Sequence, residues 1–248
     1  MGNWRLLVAY EGTRFCGWQR QSHGVAIQAL IEEALRSILG KRAIVYGASR
    51  TDSGVHALGQ VAHFQQPGGT REFSSYELLK GLNAKLPPQV RVLRLKSVSA
   101  KFHAQFYAKG KHYRYRIYHG RIFPPLELNR MWHCVSELDW EAMQAAAPVF
   151  IGRHDFHPFS AVSRSERKNK VREIKRLDLI KKGAEIRVDI EGDGFLYKMV
   201  RLIVGTLVQV GRGRCSKEEI QRRLRSRARE QDLLAAPAHG LYLMKVFY

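Results

Sequence analysis

The order in which apolar spacing changes along the chain constrains the fold more than any other feature. Arg5 to Tyr10 is a short apolar strand, closed by the turn-like Glu11-Gly12-Thr13. From Val25 to Leu39, residues Ile27, Leu30, Ile31, Ala34, Leu35 and Ile38 recur at helical spacing, and Gly40 stops the helix. Ala43 to Ala48 and Gly59 to Phe64 read as strands flanking a glycine-punctuated loop, Ser49 to Leu58. Ser74 to Leu82 reads as a helix ending before Leu86-Pro87-Pro88, and Val90 to Val98 as another strand. Strand, helix, strand, strand, helix, strand predicts an α+β sandwich of roughly a hundred residues.

The second half follows the same order loosely. Lys111 to Tyr118 is a strand and Asp139 to Phe150 a helix, while Val171 to Ile180 and Glu185 to Ile190 form a hairpin around Lys182-Gly183. Phe195, Met199, Leu202, Ile203, Thr206 and Val210 fall on one helical face. Ser216-Lys217-Glu218-Glu219 is a capping box opening a further helix, and Leu241 to Tyr248 closes the chain as a strand. Architecture repeats; sequence does not. The halves divide near Phe102 to Tyr107, giving residues 1–104 and 105–248. That linker is neither Gly- nor Pro-rich, so the halves are expected to share one continuous sheet.

Charge narrows the partner. Of 248 residues, 42 are Lys or Arg against 22 Asp or Glu, a formal charge of +20. Apolar usage of 45% excludes a disordered tail, so this is a folded chain that attracts a polyanion. Nucleic acid comes first and an acidic membrane second. The longest apolar region, Met199 to Val210, is too short to span a bilayer and carries Arg201 and Gln209. Met1 to Leu6 lack a signal peptide's apolar stretch, and Leu6 breaks the myristoylation pattern. Cys16, Cys134 and Cys215 are isolated, which supports neither a disulfide framework nor a metal site. A reduced, cytoplasmic setting is expected.

The cations cluster. Lys109-Gly110-Lys111-His112-Tyr113-Arg114-Tyr115-Arg116 interleaves them with aromatics. On a strand, Tyr113 and Tyr115 point to one face and Arg114 and Arg116 to the other. Such rings stack on unpaired bases while arginines hold phosphates; equally, the tyrosines pack inward and the arginines face water. Arg164 to Arg176 and Arg212 to Arg229 are two further basic runs. Singly their residues are expected on solvated faces; together they add to phosphate affinity through counterion release.

Several catalytic templates are missing: the P-loop, the zinc-deaminase signature and the Gly-x-Ser-x-Gly elbow. Chemistry by side chains alone is expected, with no metal and no cofactor. Its best location is Gly47 to Gln60, which packs Arg50, Asp52, His56 and glycines 47, 54 and 59 around the loop between two strands. Arg50 near Asp52 favours the ionised carboxylate, which can act as a nucleophile. The same residues also suit a tight turn in which Asp52 satisfies backbone amides.

Ser49-Arg50-Thr51-Asp52-Ser53-Gly54-Val55-His56-Ala57, with Gly59-Gln60-Val61, resembles the signature of the TruA family of tRNA pseudouridine synthases. The resemblance covers nearly the whole chain. Tyr10-Glu11-Gly12-Thr13 and Gly17-Trp18-Gln19-Arg20-Gln21 look like the family's opening. Asn83-Ala84-Lys85-Leu86-Pro87, Phe102-His103-Ala104, Tyr113-Arg114-Tyr115 and His154-Asp155-Phe156 follow in family order. So do Gly194-Phe195-Leu196, Met199-Val200-Arg201 and Ala236 to Leu243.

The resemblance implies an α+β fold of two similar, ferredoxin-like halves sharing one mostly antiparallel sheet. Helices lie on one side of it and a basic active-site cleft on the other. The first half carries the aspartate loop; the second carries the stacking tyrosine and the basic runs. It implies isomerisation of uridine to pseudouridine at positions 38 to 40 of the tRNA anticodon stem-loop, by a homodimer without cofactor. By resemblance Asp52 is the catalytic aspartate and Arg50 its companion. Tyr113 then stacks on the target uracil, and Arg201 pairs with the catalytic carboxylate. Ser49 and Ser53 depart from the family's usual glycine and alanine, which bears on local loop geometry. Attack by Asp52 on ribose and on pyrimidine both remain open. The alternative is a non-catalytic protein that binds or remodels RNA and has no use for Asp52 beside Arg50.

Overall fold

The computed structural model describes residues 2–162, 169–226 and 233–248. Of the basic runs, Arg164, Arg167, Lys168, Arg227 and Arg229 lie outside the described residues. The chain forms two compact units, Met1–Lys109 with Tyr242–Tyr248, and Gly110–Leu241. Both mix sheet and helix, so the α+β class holds.

In the first unit, β1 (Asn3–Tyr10), α1 (Ile27–Leu39), β2 (Val45–Gly47), β3 (His56–Gln65), α2 (Ser75–Lys85) and β4 (Val90–Val98) follow in the expected order. Strand order is β4-β1-β3, with β2 antiparallel to β3. Alternation dictates the layers. Leu6 and Val8 on β1 and Ala62 and Phe64 on β3 are buried, as are Ile27, Ile31 and Leu35 on α1. Each of these side chains larger than Ala62 contributes about 1.5–3 kcal/mol by leaving water. Gly40 ends α1 in the left-handed region at φ 68°, its N–H donating to the Arg36 carbonyl. Ser74 and Glu77 form a capping box at the start of α2. β2 is only three residues long and is tied to α1. The Val45 N–H donates to Glu32 Oε1 at 3.0 Å, and its carbonyl accepts from Gln28 at 3.0 Å.

The expected loop Ser49 to Leu58 is shorter than the spacing suggests, because β3 starts at His56. Two long-range pairings extend that strand. Ala57 pairs with Tyr10 on β1. The last strand, β10 (Leu241–Phe247), runs parallel to β3, with Tyr242 opposite His56 and Leu243 opposite Ala57.

The second unit holds β5 (Gly110–Tyr118), β6 (Trp132–His133), α3 (Trp140–Ala146), β7 (Gly152–Asp155), β8 (Val171–Lys182), β9 (Glu185–Gly192), α4 (Met199–Gly211) and α5 (Lys217–Ser226). β9 pairs antiparallel with β5, and β8 with β9, as β3 pairs with β1 and β2 with β3 in the first unit. Two expectations shift. The helix from Asp139 stops at Ala146 and tightens into a 3-10 turn over Ala147–Phe150, where Pro148 offers no N–H to an α-helical bond. Phe195 is not on the helical face of α4. The helix begins after Lys198, whose φ of 58° turns the backbone off the helical path. Among the described residues, no helix is long and apolar enough to cross a membrane.

Candidate active site

The loop between β2 and β3 is held from three directions. The β2–β3 ladder runs Val45 to Phe64, Tyr46 to His63 and Gly47 to Ala62, and the Ala48 N–H donates to the Val61 carbonyl at 2.7 Å. Beyond that point a side chain takes over. Gln60 accepts from the Ser49 N–H through Oε1 at 3.2 Å and donates from Nε2 to the Ser49 carbonyl at 2.7 Å. One step on, the Thr51 hydroxyl meets the Tyr10 hydroxyl at 2.8 Å. Ser49 and Thr51 are buried, whereas Arg50 is exposed and Asp52 half-exposed. The loop therefore alternates like a strand, anchoring residues 49 and 51 inward.

The second hold comes from the segment before α1. The Trp18 N–H donates to the Thr51 carbonyl at 3.1 Å. Gly17, at φ 100°, passes so close that a Cβ there would lie 2.5 Å from that carbonyl oxygen. Trp18 is buried against Gly47, where a Cβ would come within 2.3 Å of the indole nitrogen. The Ser53 hydroxyl and the Gly54 N–H both donate to the Phe15 carbonyl, at 3.1 and 3.4 Å. So Ser53, a departure from the family pattern, gains a bond; and Ser49, the other, is held through backbone atoms that its side chain does not alter.

Third, the Gly12 N–H donates to Nδ1 of His56 at 2.9 Å, which leaves the neutral ring's proton on Nε2. His56 is buried and stacks on Tyr242 with ring centroids 4.7 Å apart. The motif's histidine thus fixes the far end of the loop. The spacing singled out Asp52 and Arg50 but gave no part to Tyr10, Thr51, Gln60 or Trp18. The one local signal was the pair Gly12 and Gly17, spaced around a tight turn before a buried aromatic.

In the second unit, Tyr113 lies on β5 opposite Ile190, 6% exposed, its ring edge-on to Phe195 at 5.1 Å and 84°. Tyr115 is fully buried and donates its hydroxyl to the Pro237 carbonyl at 2.6 Å; burial disfavours the phenolate and pushes the hydroxyl pKa well above its ordinary value. Arg201, in the first turn of α4, donates from Nε to the Ala236 carbonyl at 2.7 Å, and the Ala236 N–H returns a bond to the Arg201 carbonyl at 3.0 Å.

The arginines that alternate with those tyrosines, Arg114 and Arg116, are half-buried and paired with acids. Arg114 pairs with buried Asp189 at 3.0 Å, and His112 joins the same carboxylate at 2.5 Å. These partners hold the Asp189 acid below its usual range against the opposing effect of burial. Arg116 pairs with Glu127 and Glu185, both at 2.9 Å. Glu185 is driven down to about 2: burial raises it, but Arg187 and Arg116 outweigh that. Of the basic runs, Arg172 is buried against backbone carbonyls and Arg176 pairs with Glu191. Arg214, Lys217, Arg222 and Arg225 are exposed, the solvated placement expected of such residues singly. Among the described residues, no three His, Cys, Asp or Glu side chains are grouped to hold a metal ion.

Comparison with known proteins agrees along the whole length. The family model described as tRNA pseudouridine synthase matches residues 6–107 and 146–248. A protein of Acetivibrio thermocellus named tRNA pseudouridine synthase A is 43% identical over 249 residues, covering all of both chains. Proteins of the same name from Geobacter sp. and Syntrophotalea carbinolica are 41% and 42% identical. They match over 100% and 98% of this chain and over 99% and 95% of their own.

Proposed function

The chain belongs to the tRNA pseudouridine synthase family, and on that premise we propose that it isomerises uridine to pseudouridine in tRNA, at positions 38 to 40 of the anticodon stem-loop. The reaction breaks the C–N glycosidic bond, turns the freed uracil and rejoins it to the same ribose through carbon. The carbon loses its proton and the former glycosidic nitrogen gains one. Atoms and electrons balance within the substrate, so the reaction takes no oxidant and no donor.

One observation carries the reading. Buried Ser49 and Thr51 are anchored by Gln60 and Tyr10, and between and beyond them Arg50 is exposed and Asp52 half-exposed. A turn whose aspartate serves only the backbone has no need of a buried amide and a buried tyrosine on its other residues. In this proposal the Asp52 carboxylate adds to the nucleoside during bond exchange, and Arg50 and Arg201 supply positive charge for it. Tyr113 gives an aromatic face to the uracil, which must leave its stack at a cost of about a few kcal/mol. Asp52 is carried by the first half, residues 1–104, to which the returning residues Tyr242–Tyr248 add, and Tyr113 by the rest of the second. The exposed cations of Arg212 to Ser226 hold tRNA phosphates, and two copies act together as a homodimer in the cytoplasm.

The test is incubation with unmodified tRNA followed by position-resolved detection of pseudouridine. Pseudouridine within the anticodon stem-loop supports the proposal. Tight tRNA binding with no isomerisation overturns it and leaves an RNA-binding protein.

A further inference from the structure

We propose that Gln60 is a positioning residue for Asp52: its buried amide continues the β2–β3 ladder past the point where the two backbones part. The inference rests on the reading of Asp52 as the reacting carboxylate.

The register makes the case. Counting on from Gly47 opposite Ala62, Ala48 faces Val61 and Ser49 faces Gln60. At that last rung the backbone of Gln60 is already paired with Val8 on β1. Its side chain offers the same two groups as a peptide unit, one carbonyl acceptor and one N–H donor. It uses both on Ser49, at 3.2 and 2.7 Å, and is itself 0% exposed. Nε2 also lies 3.5 Å from the Tyr10 hydroxyl, which meets Thr51 at 2.8 Å. One amide therefore reaches residue 49 directly and residue 51 through Tyr10. Asp52 follows one residue later, where the Trp18 N–H on the Thr51 carbonyl fixes the next peptide.

Each residue freed from the ladder gives the chain about 3.3 Å of reach, while a misplacement of about 1 Å is enough to cost roughly 100-fold in rate. The fold contains a matched control. Asn83 on α2 clamps Val92 of β4 in the same two-bond way, donating to its carbonyl at 2.8 Å and accepting from its N–H at 2.9 Å. That clamp holds helix to strand, with both its hydrogen bonds on Val92.

The experiment compares Gln60→Met with Asn83→Leu in the full chain. It measures melting temperature, tRNA affinity and the single-turnover rate at saturating tRNA. Both variants should melt lower. Gln60→Met should lose about 100-fold in rate with tRNA affinity within about threefold, while Asn83→Leu keeps its rate within about threefold. A folded Gln60→Met with a wild-type rate overturns the proposal, and so does an equal rate loss in Asn83→Leu. Should Gln60→Met fail to fold, Gln60→Asn keeps the amide but is one methylene too short to hold both Ser49 groups. A rate loss at unchanged affinity supports the proposal, and an unchanged rate overturns it. A wild-type chain that makes no pseudouridine, or a fully active Asp52→Asn, defeats the functional reading instead.

Discussion

Replacing Asp52 with Asn separates a reacting carboxylate from a turn-stabilising one. Asn has nearly the same shape, and its backbone carbonyl still accepts from the Val55 N–H at 3.2 Å. The bonds that anchor the loop start from Ser49, Thr51, Ser53 and Gly54, and none of those is touched. At a half-exposed site the stability change should stay within about 1 kcal/mol, a shift of roughly 2–4 °C in melting temperature for a chain of this length. Affinity for tRNA should hold or tighten by less than about threefold, since one carboxylate fewer raises the net charge by one and salt screens it. The rate should fall at least about 1000-fold, more than about 4 kcal/mol of barrier, because a neutral amide neither adds to the nucleoside nor stabilises a developing cation. One preparation serves all three measurements: thermal melting, tRNA binding, and single-turnover pseudouridine formation. A stable, tRNA-binding Asp52→Asn that turns over at the wild-type rate would refute the reasoning.

Three further outcomes are expected. Affinity for tRNA should fall at least about tenfold between roughly 50 and 200 mM salt, since a chain of charge +20 displaces counterions from phosphates; an unchanged affinity removes the electrostatic account. Tyr113→Phe keeps the ring face and should retain most activity, whereas Tyr113→Ala should lose about 1–3 kcal/mol of stacking, read at temperatures well below melting because a cavity opens beside Phe195. Full activity in both makes Tyr113 a core residue only. His63 is buried, with Nδ1 accepting from the Ala104 N–H, and burial together with the neighbouring His103 lowers it from 6.5 to about 4. The unfolded chain therefore takes up a proton that the folded one refuses, and stability present above about pH 6.5 is lost as pH falls towards about 4, by about 1–3 kcal/mol. His63→Gln should flatten the melting temperature across that window, and an unaltered slope would assign the acid sensitivity elsewhere.

What the sequence determined is local. Helical spacing from Ile27 to Leu39 and its Gly40 stop, the hairpin around Gly183, and the Ser74 and Ser216 caps rest on neighbours within a few residues, so they are legible in one dimension. The cluster of Arg50, Asp52 and His56 was legible for the same reason, being contiguous. So was the excess of cations, which depends on composition alone.

Only tertiary structure decided what those residues face. Extension of β3 back to His56 depends on Tyr10 and on a parallel partner at the far end of the chain, Tyr242 and Leu243, and no local pattern encodes such a pairing. Arg114 and Arg116 alternate with tyrosines as a phosphate-binding strand would, yet Asp189 and Glu185 on β9 and Glu127 after β5 pair with them. Arg172 sits in a basic run and is buried. Gln60 reads as an ordinary polar residue on a strand until the register puts it across from Ser49. A buried amide is stable only where donor and acceptor both find partners, and the convergence of three strands supplies them here.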